Sequence, residues 1–177
     1  MTRGIIVFGA NGSGKSTLGR ELARALNYKY MDIEDYHFIK SEIPYTLERT
    51  REECLDLMLA DIEKYCSFVI SAVIGDFGEE ISSMYTFAVF ISAPLETRIE
   101  RIRQRAYEQH GERIHEGGDM YEHHLKFVDF VASRSLSRIE QWAETLVCPV
   151  IYVDGTKSIS ENTEMVVEKY LNILSAK

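Results

Sequence analysis

Short apolar runs alternate along the chain with longer stretches in which apolar residues recur every three or four positions. Gly4-Ile5-Ile6-Val7-Phe8 is the first run and gives way to glycines. From Lys15 to Leu26, Leu18, Leu22, Ala25 and Leu26 share one face at helical spacing. Tyr28 to Ile33 reads as a second strand, and helical spacing returns at Leu55, Met58, Leu59 and Ile62. Ser67 to Ile74 is an almost continuous apolar run, the pattern of a strand covered on both faces. A short helix is expected over Glu79 to Tyr85 and a fourth strand over Thr86 to Ser92. Pro94 then opens a helix, since proline is tolerated at a first helical position, with Leu95, Ile99 and Ile102 expected to face inward. Asp119 and Glu122 have capping-box spacing, which predicts the start of a long helix kinked near Ser133–Ser135. Pro149 to Val153 is the last strand. Ser158 and Glu161 repeat the capping spacing before a final helix that turns Val166, Tyr170 and Ile173 inward.

Five alternations of strand and helix predict an α/β fold: an open five-stranded parallel sheet joined by right-handed crossovers and covered by helices on both faces. Ligands of such sheets bind beyond the carboxyl ends of the strands. The loops after Phe8, Ile33, Ile74, Ser92 and Val153 are therefore the places to look for chemistry.

The 177 residues, 45% apolar and 27% charged, fit a single globular domain over residues 1–177. No apolar run approaches the roughly 20 residues of a membrane span, and Met1–Lys15 lacks the features of a secretory signal. A net charge of −8 disfavours nucleic acid as a partner, because that affinity rests on neutralising phosphates. Cys54, Cys66 and Cys148 are widely spaced and odd in number, which argues against a disulfide framework or a zinc site and for a reduced, cytoplasmic setting. A monomer and a homodimer are both compatible with this composition.

The strongest chemical signal is Gly9-Ala10-Asn11-Gly12-Ser13-Gly14-Lys15-Ser16-Thr17, a full match to G-x-x-x-x-G-K-[ST] with a strand before it and a helix after it. Glycines let consecutive N–H groups turn toward one centre, and the helix N-terminus adds partial positive charge. Gly9, Asn11, Gly12, Ser13, Gly14, Lys15, Ser16 and Thr17 are thus the candidate nucleotide contacts, with Lys15 reaching the β- and γ-phosphates and the Ser16 hydroxyl available to Mg²⁺.

Asp32 and Glu34 stand two residues apart at the end of the second strand, where extended backbone would point them the same way. Asp32 could hold Mg²⁺ or accept a proton, and Glu34 could bind a substrate hydroxyl. Arg98, Arg101 and Arg105 form an i, i+3, i+7 stripe, and Arg101 and Arg105 precede a polar, glycine-containing segment, so they suit a closing, charge-neutralising role. The segment Pro44–Arg51 offers Arg49 or Arg51 as a clamp for an anionic acceptor, with Tyr36, His37, Phe38 and Tyr45 as walls and Gly75–Gly78 closing the pocket. His123 and His124 are adjacent on a helix and poorly placed to share a metal. His110 and His115 read as surface residues, and Trp142 as core.

Gly9–Thr17, the Asp32/Glu34 pair, the run Ala93–Arg101 and the terminal Val153-Asp154-Gly155-Thr156 together resemble the P-loop small-molecule and nucleoside monophosphate kinases, the group that includes shikimate, gluconate and adenylate kinases. The resemblance implies a P-loop NTPase fold with a small mobile lid over about residues 106–118 and transfer of the γ-phosphoryl of ATP to a small acceptor. It implies that Asp32 serves the metal or the acceptor, that Arg101 and Arg105 are lid-side arginines, and that Asp154–Ser158 lies against the adenine. The glycine triplet that shikimate kinases carry after the third strand is absent here, and no acidic residue sits within that strand; Ser71 or Asp76 are the available substitutes. The expectation is an ATP- and Mg²⁺-dependent phosphotransferase acting on a small hydroxyl-bearing metabolite, with catalytic roles for Lys15, Asp32, Arg101 and Arg105. The alternatives are a nucleoside monophosphate kinase and an ATP-binding regulatory switch.

Overall fold

The computed structural model describes residues 2–42 and 46–175. In chain order the elements are β1 (Arg3–Phe8), α1 (Lys15–Leu26), β2 (Lys29–Asp32), α2 (Ile33–His37), α3 (Arg51–Tyr65), β3 (Ser67–Ala72), α4 (Glu79–Ser82), β4 (Tyr85–Ser92), α5 (Leu95–His110), α6 (Tyr121–Ser133), α7 (Ser137–Glu144), β5 (Val150–Asp154) and α8 (Ile159–Ser175). A 3-10 turn, Gly111–Ile114, follows α5.

The five strands form one parallel sheet in the order β2-β3-β1-β4-β5, as the alternation of elements predicts. Side chains alternate along β1, so its two faces feed two cores. Ile6 and Phe8 join Met58 and Ile62 of α3, Ile81 of α4, and Ile139 and Ala143 of α7. Ile5 and Val7 join Leu18 and Leu22 of α1 and Val166 and Tyr170 of α8. Each such side chain, taken fully from water, contributes about 1.5–3 kcal/mol. Trp142 packs edge-on against Phe8 with ring centroids 4.8 Å apart, a core role. A third, smaller cluster, Ile102, Val128 and Val131 with Ile99 and Phe127, ties α5 to α6 away from the sheet.

Several local expectations change. β2 stops at Asp32, whose carboxylate accepts the Glu34 N–H at 3.2 Å and caps α2, so Glu34 lies on a helix and not on extended backbone. Leu95, in the first turn of α5, faces solvent, while Ile102 is buried. Asp119 does not cap α6: both its oxygens accept from Arg113, at 2.9 and 2.7 Å, and Met120 takes the cap position. The expected kink is a break between α6 and α7. There the Ser133 hydroxyl donates to the Asp129 carbonyl and the Ser137 N–H donates to the Ser135 hydroxyl, local bonds that compete with helix. The Ser158/Glu161 capping box does form, with Glu161 N–H donating to Ser158 Oγ at 3.3 Å and Ser158 N–H to Glu161 Oε2 at 3.2 Å.

Candidate functional site

The loop between β1 and α1 is held where few residues other than glycine fit. Gly12 has φ +80°, and a Cβ there would sit 2.5 Å from the Arg98 carbonyl oxygen. Gly14, φ +103°, is the N-cap of α1 and supplies no capping side chain, and the first turn carries no acid. The opening amides of a helix have no intrahelical acceptor, so this end presents N–H groups and partial positive charge. Ser13 Oγ is fully buried and, among the described residues, has no hydrogen-bond partner. Lys15 is 8% exposed. Burial pushes its ammonium below the usual lysine range; Glu34 and Asp32 pull it back up, and Arg105 adds to the lowering. Among the described residues no carboxylate lies within ion-pair distance of Lys15. A buried hydroxyl and a buried cation, both lacking such partners, fit a polyphosphate placed on this loop.

Two arginines of α5 brace the loop from its carbonyl side. Arg98, buried, donates from Nη1 to the Asn11 carbonyl of the loop at 3.4 Å and from Nε to the Ala93 carbonyl at 3.2 Å, and burial lowers its pKa. Arg101 donates to the Ser13 carbonyl at 3.3 Å and to the Gly155 carbonyl at 2.8 Å, joining the loop to the end of β5. Gly155 sits tight beneath it, where a Cβ would meet the Ser13 carbonyl at 2.5 Å. Of the arginine stripe, Arg105 alone reaches the cavity described below.

Asp32 is held twice, by the Glu34 N–H and by the Tyr30 phenol at 2.9 Å from Oδ2. The same phenol lies 3.1 Å from the Ser16 carbonyl, so one proton serves two acceptors in turn. Burial raises the phenol well above its ordinary value, keeping it a donor. Ser71, buried at the end of β3, donates to the Lys15 carbonyl at 3.1 Å and steadies the start of α1. Asp76 is exposed and stands outside the cavity lining. Arg49 donates from Nη1 to the carbonyls of Tyr36 at 3.0 Å and Phe38 at 2.8 Å, which occupies it in closing α2. Arg51 opens α3, exposed and outside the cavity lining. Pro44 and Tyr45, expected beside the acceptor, lie outside the described residues.

A cavity of about 430 Å³ opens beside the loop, from Asn11, Glu34 and Phe38 to the second half of α5 and the start of α6. Arg105, His110, His123, His124 and Lys126 contribute basic groups, and Ile102, Ala106, Ile114, Met120 and Phe127 the apolar walls. Sequence reasoning set His110, His123 and His124 aside as surface or ill-placed residues. The missed signal was a pair of helical stripes, 102-105-106-109 on α5 and 120-123-124-127 on α6. Tyr30 gave no such signal, because its role depends on a hydroxyl reaching across two elements. No group of three or more His, Cys, Asp or Glu among the described residues can hold a metal unaided. Ser16 and Asp32, with oxygens from a bound phosphate, fit Mg²⁺, which keeps few protein ligands. No helix among the described residues is long and apolar enough to cross a membrane.

Comparison with known proteins agrees with this architecture. An uncharacterized protein of Bacillus subtilis strain 168, YqaC, is 27% identical over 176 residues, covering 95% of this chain and 97% of that protein. The crystal structure of a shikimate kinase from Bacteroides thetaiotaomicron superposes with a TM-score of 0.55 at 17% identity, covering 96% of this chain and 98% of that one. An unliganded sugar kinase from Janibacter sp. HTCC2649 gives 0.54 at 17% identity, covering 99% and 98%. These structures share the fold. Residues 5–122 match the family model described as an AAA domain. The chain belongs to that AAA domain family, and its fold is that of the P-loop kinases.

Proposed function

We propose that the protein transfers the γ-phosphoryl group of ATP to a hydroxyl of a small metabolite. The observation that carries this reading is the juxtaposition of the buried Lys15 and the buried Ser13 hydroxyl, which among the described residues have no paired carboxylate and no hydrogen-bond partner respectively, with a cavity whose lining includes one carboxylate, Glu34. Loop amides of Gly9–Thr17 grip the triphosphate, and Lys15 stabilises charge on the transferring group. Ser16 and Asp32 would hold Mg²⁺, which neutralises charge on the phosphate oxygens when bound. The acceptor oxygen forms a bond to the γ-phosphorus as the bond from that phosphorus to the β–γ bridging oxygen breaks. ADP leaves, and the hydroxyl proton passes to Glu34, the carboxylate that lines the cavity. Arg105 neutralises charge from the α5 side. Arg101 is placed to keep the loop in shape, and Arg49 to keep α2 in shape. Residues 106–118 flank the cavity and are the segment we assign as a lid.

Names among the fold neighbours, a shikimate kinase and a sugar kinase, support a metabolite acceptor. Calorimetry with Mg²⁺ and ATP, followed by coupled ADP-release assays across sugar acids, nucleosides, nucleoside monophosphates and hydroxylated ring acids, tests the reading. Heat on ATP addition and acceptor-dependent ADP release are expected. Absence of ATP binding would overturn it, and ATP binding without ADP release for any acceptor would turn it toward a regulatory switch.

A further inference from the structure

The mouth between α5 and α6 has a charge and a texture that gripping a triphosphate does not require. Glu34 is the one carboxylate among the described residues that line it, against several basic groups, in a chain of net charge −8. Burial, and after it the neighbouring Arg103, His115, His110 and His123, hold the His124 imidazole below the usual range, which leaves it a neutral N–H donor. This end of the cavity therefore brings imidazole N–H groups of His110, His123 and His124 together with a single facing carboxylate, an arrangement suited to accept an external anion. Arg105 acts on Lys15 and is accounted for by the phosphates. His110 stands five residues further along α5, about 7.5 Å at 1.5 Å per residue. Between them the walls are apolar: Ile102, Ala106, Met120 and Phe127.

Building on the kinase reading, we infer that the acceptor is a hydroxyl-bearing anion with a flat apolar ring. Its hydroxyl meets Glu34 beside Lys15, its ring lies on the apolar walls, and its carboxylate or phosphate group is taken by His110 and His124. A polyhydroxylated chain is the poorer occupant. Hydroxyls buried against Ile102, Met120 and Phe127 lose water without gaining a partner, whereas a ring loses little.

The test uses the full chain with Mg²⁺ and a non-hydrolysable ATP analogue, and titrates five probes by calorimetry. Two are ring anions, 4-(hydroxymethyl)benzoate and thymidine 5′-monophosphate, which separate a carboxylate from a phosphate source. Benzyl alcohol and thymidine are their neutral counterparts, and gluconate is an anion without a ring. At least one ring anion is expected to bind tenfold or more tighter than its neutral counterpart and than gluconate. His110→Gln/His124→Gln is expected to erase most of that margin while the affinity for the ATP analogue stays within twofold. Phe127→Leu, which keeps an apolar wall, is expected to weaken ring anions and leave gluconate unchanged. The inference is overturned if gluconate matches the ring anions, if neither ring anion binds at millimolar concentration, or if the histidine variant weakens the ATP analogue instead. Failure of the analogue to bind is the separate failure of the kinase reading; histidine-dependent binding of a ring anion in its absence would still support the specificity assigned to the mouth.

Discussion

The phosphate loop and the α5–α6 mouth adjoin each other and are built to different standards. The loop sits at the sheet's centre, on β1, between the two large cores. Its polar groups Ser13 and Lys15 are buried, and Arg101 and the Gly155 backbone press on it from behind. The mouth rests on a small cluster, Ile102, Val128 and Val131, and on a short 3-10 turn that buries Ile114, with Met120 buried just after it. Arg105, Gln109, His123 and Lys126 at its rim are exposed. Few buried apolar contacts and exposed backbone bonds mark a region of low local stability. The difference is one of packing: on the proposed reading, the half that would hold the phosphate is backed by two large cores, and the half that would face the acceptor by a small one.

The largest effect should come from the rigid half. Lys15→Ala is expected to lower acceptor-dependent ADP release about 10²–10³-fold, the scale for losing one preorganised charge contact. The melting temperature should not fall, because the substitution removes a buried cation whose ordinary pKa burial has already depressed. Turnover that survives the change would break the comparison at its root.

Next is the shape of the loop. Gly12→Ala puts a Cβ 2.5 Å from the Arg98 carbonyl at φ +80°. Strain of this kind costs about 1–3 kcal/mol, so ATP affinity should drop roughly tenfold or more by calorimetry. An unchanged affinity would show that the loop adapts to the added methyl group.

How much of this was legible in the sequence follows the same division. The loop was readable residue by residue, because its demands are local: glycines where φ is positive, and lysine and serine at fixed offsets. The sheet was readable because β1, β3 and β4 are buried on both faces and so read as apolar runs. The acidic turn was misread because Asp32 both ends a strand and caps the next helix, which puts Glu34 on a helix, and the sequence does not show how the two are joined. The α6 cap was misread because Asp119 had a competitor: Arg113, six residues back, offers two charge-assisted bonds, more than a capping N–H does. The mouth was invisible because its parts lie on two helices whose facing stripes acquire meaning only once they are set opposite each other.

The third expectation tests the yielding half directly. Ile102→Val removes one methylene from the small cluster. Within a packed core that costs about 0.5–1.5 kcal/mol. Here the loss should fall mainly on local opening, so hydrogen exchange should quicken in α5 and α6 while ATP affinity and the protection of β1 hold. A matching loss of protection in β1 would mean that mouth and loop open as one unit.

The smallest effect concerns the Arg113–Asp119 pair that closes the turn after α5. Arg113 holds the Asp119 carboxyl below the usual carboxylate range, so its folded pKa lies under the unfolded value of about 3.9. A carboxylate shifted in that sense adds stability above the unfolded pKa and loses it as pH falls through the folded one. Both side chains are largely solvent-exposed, so screening keeps the contribution slight. Asp119→Asn should therefore speed hydrogen exchange over residues 111–119 at pH 7 with little change in global melting, and wild type and variant should converge once the pH drops well below 3.9. If the variant's exchange matches wild type at pH 7, the pair does not order the turn, and the mouth's low stability must come from the thin apolar cluster alone.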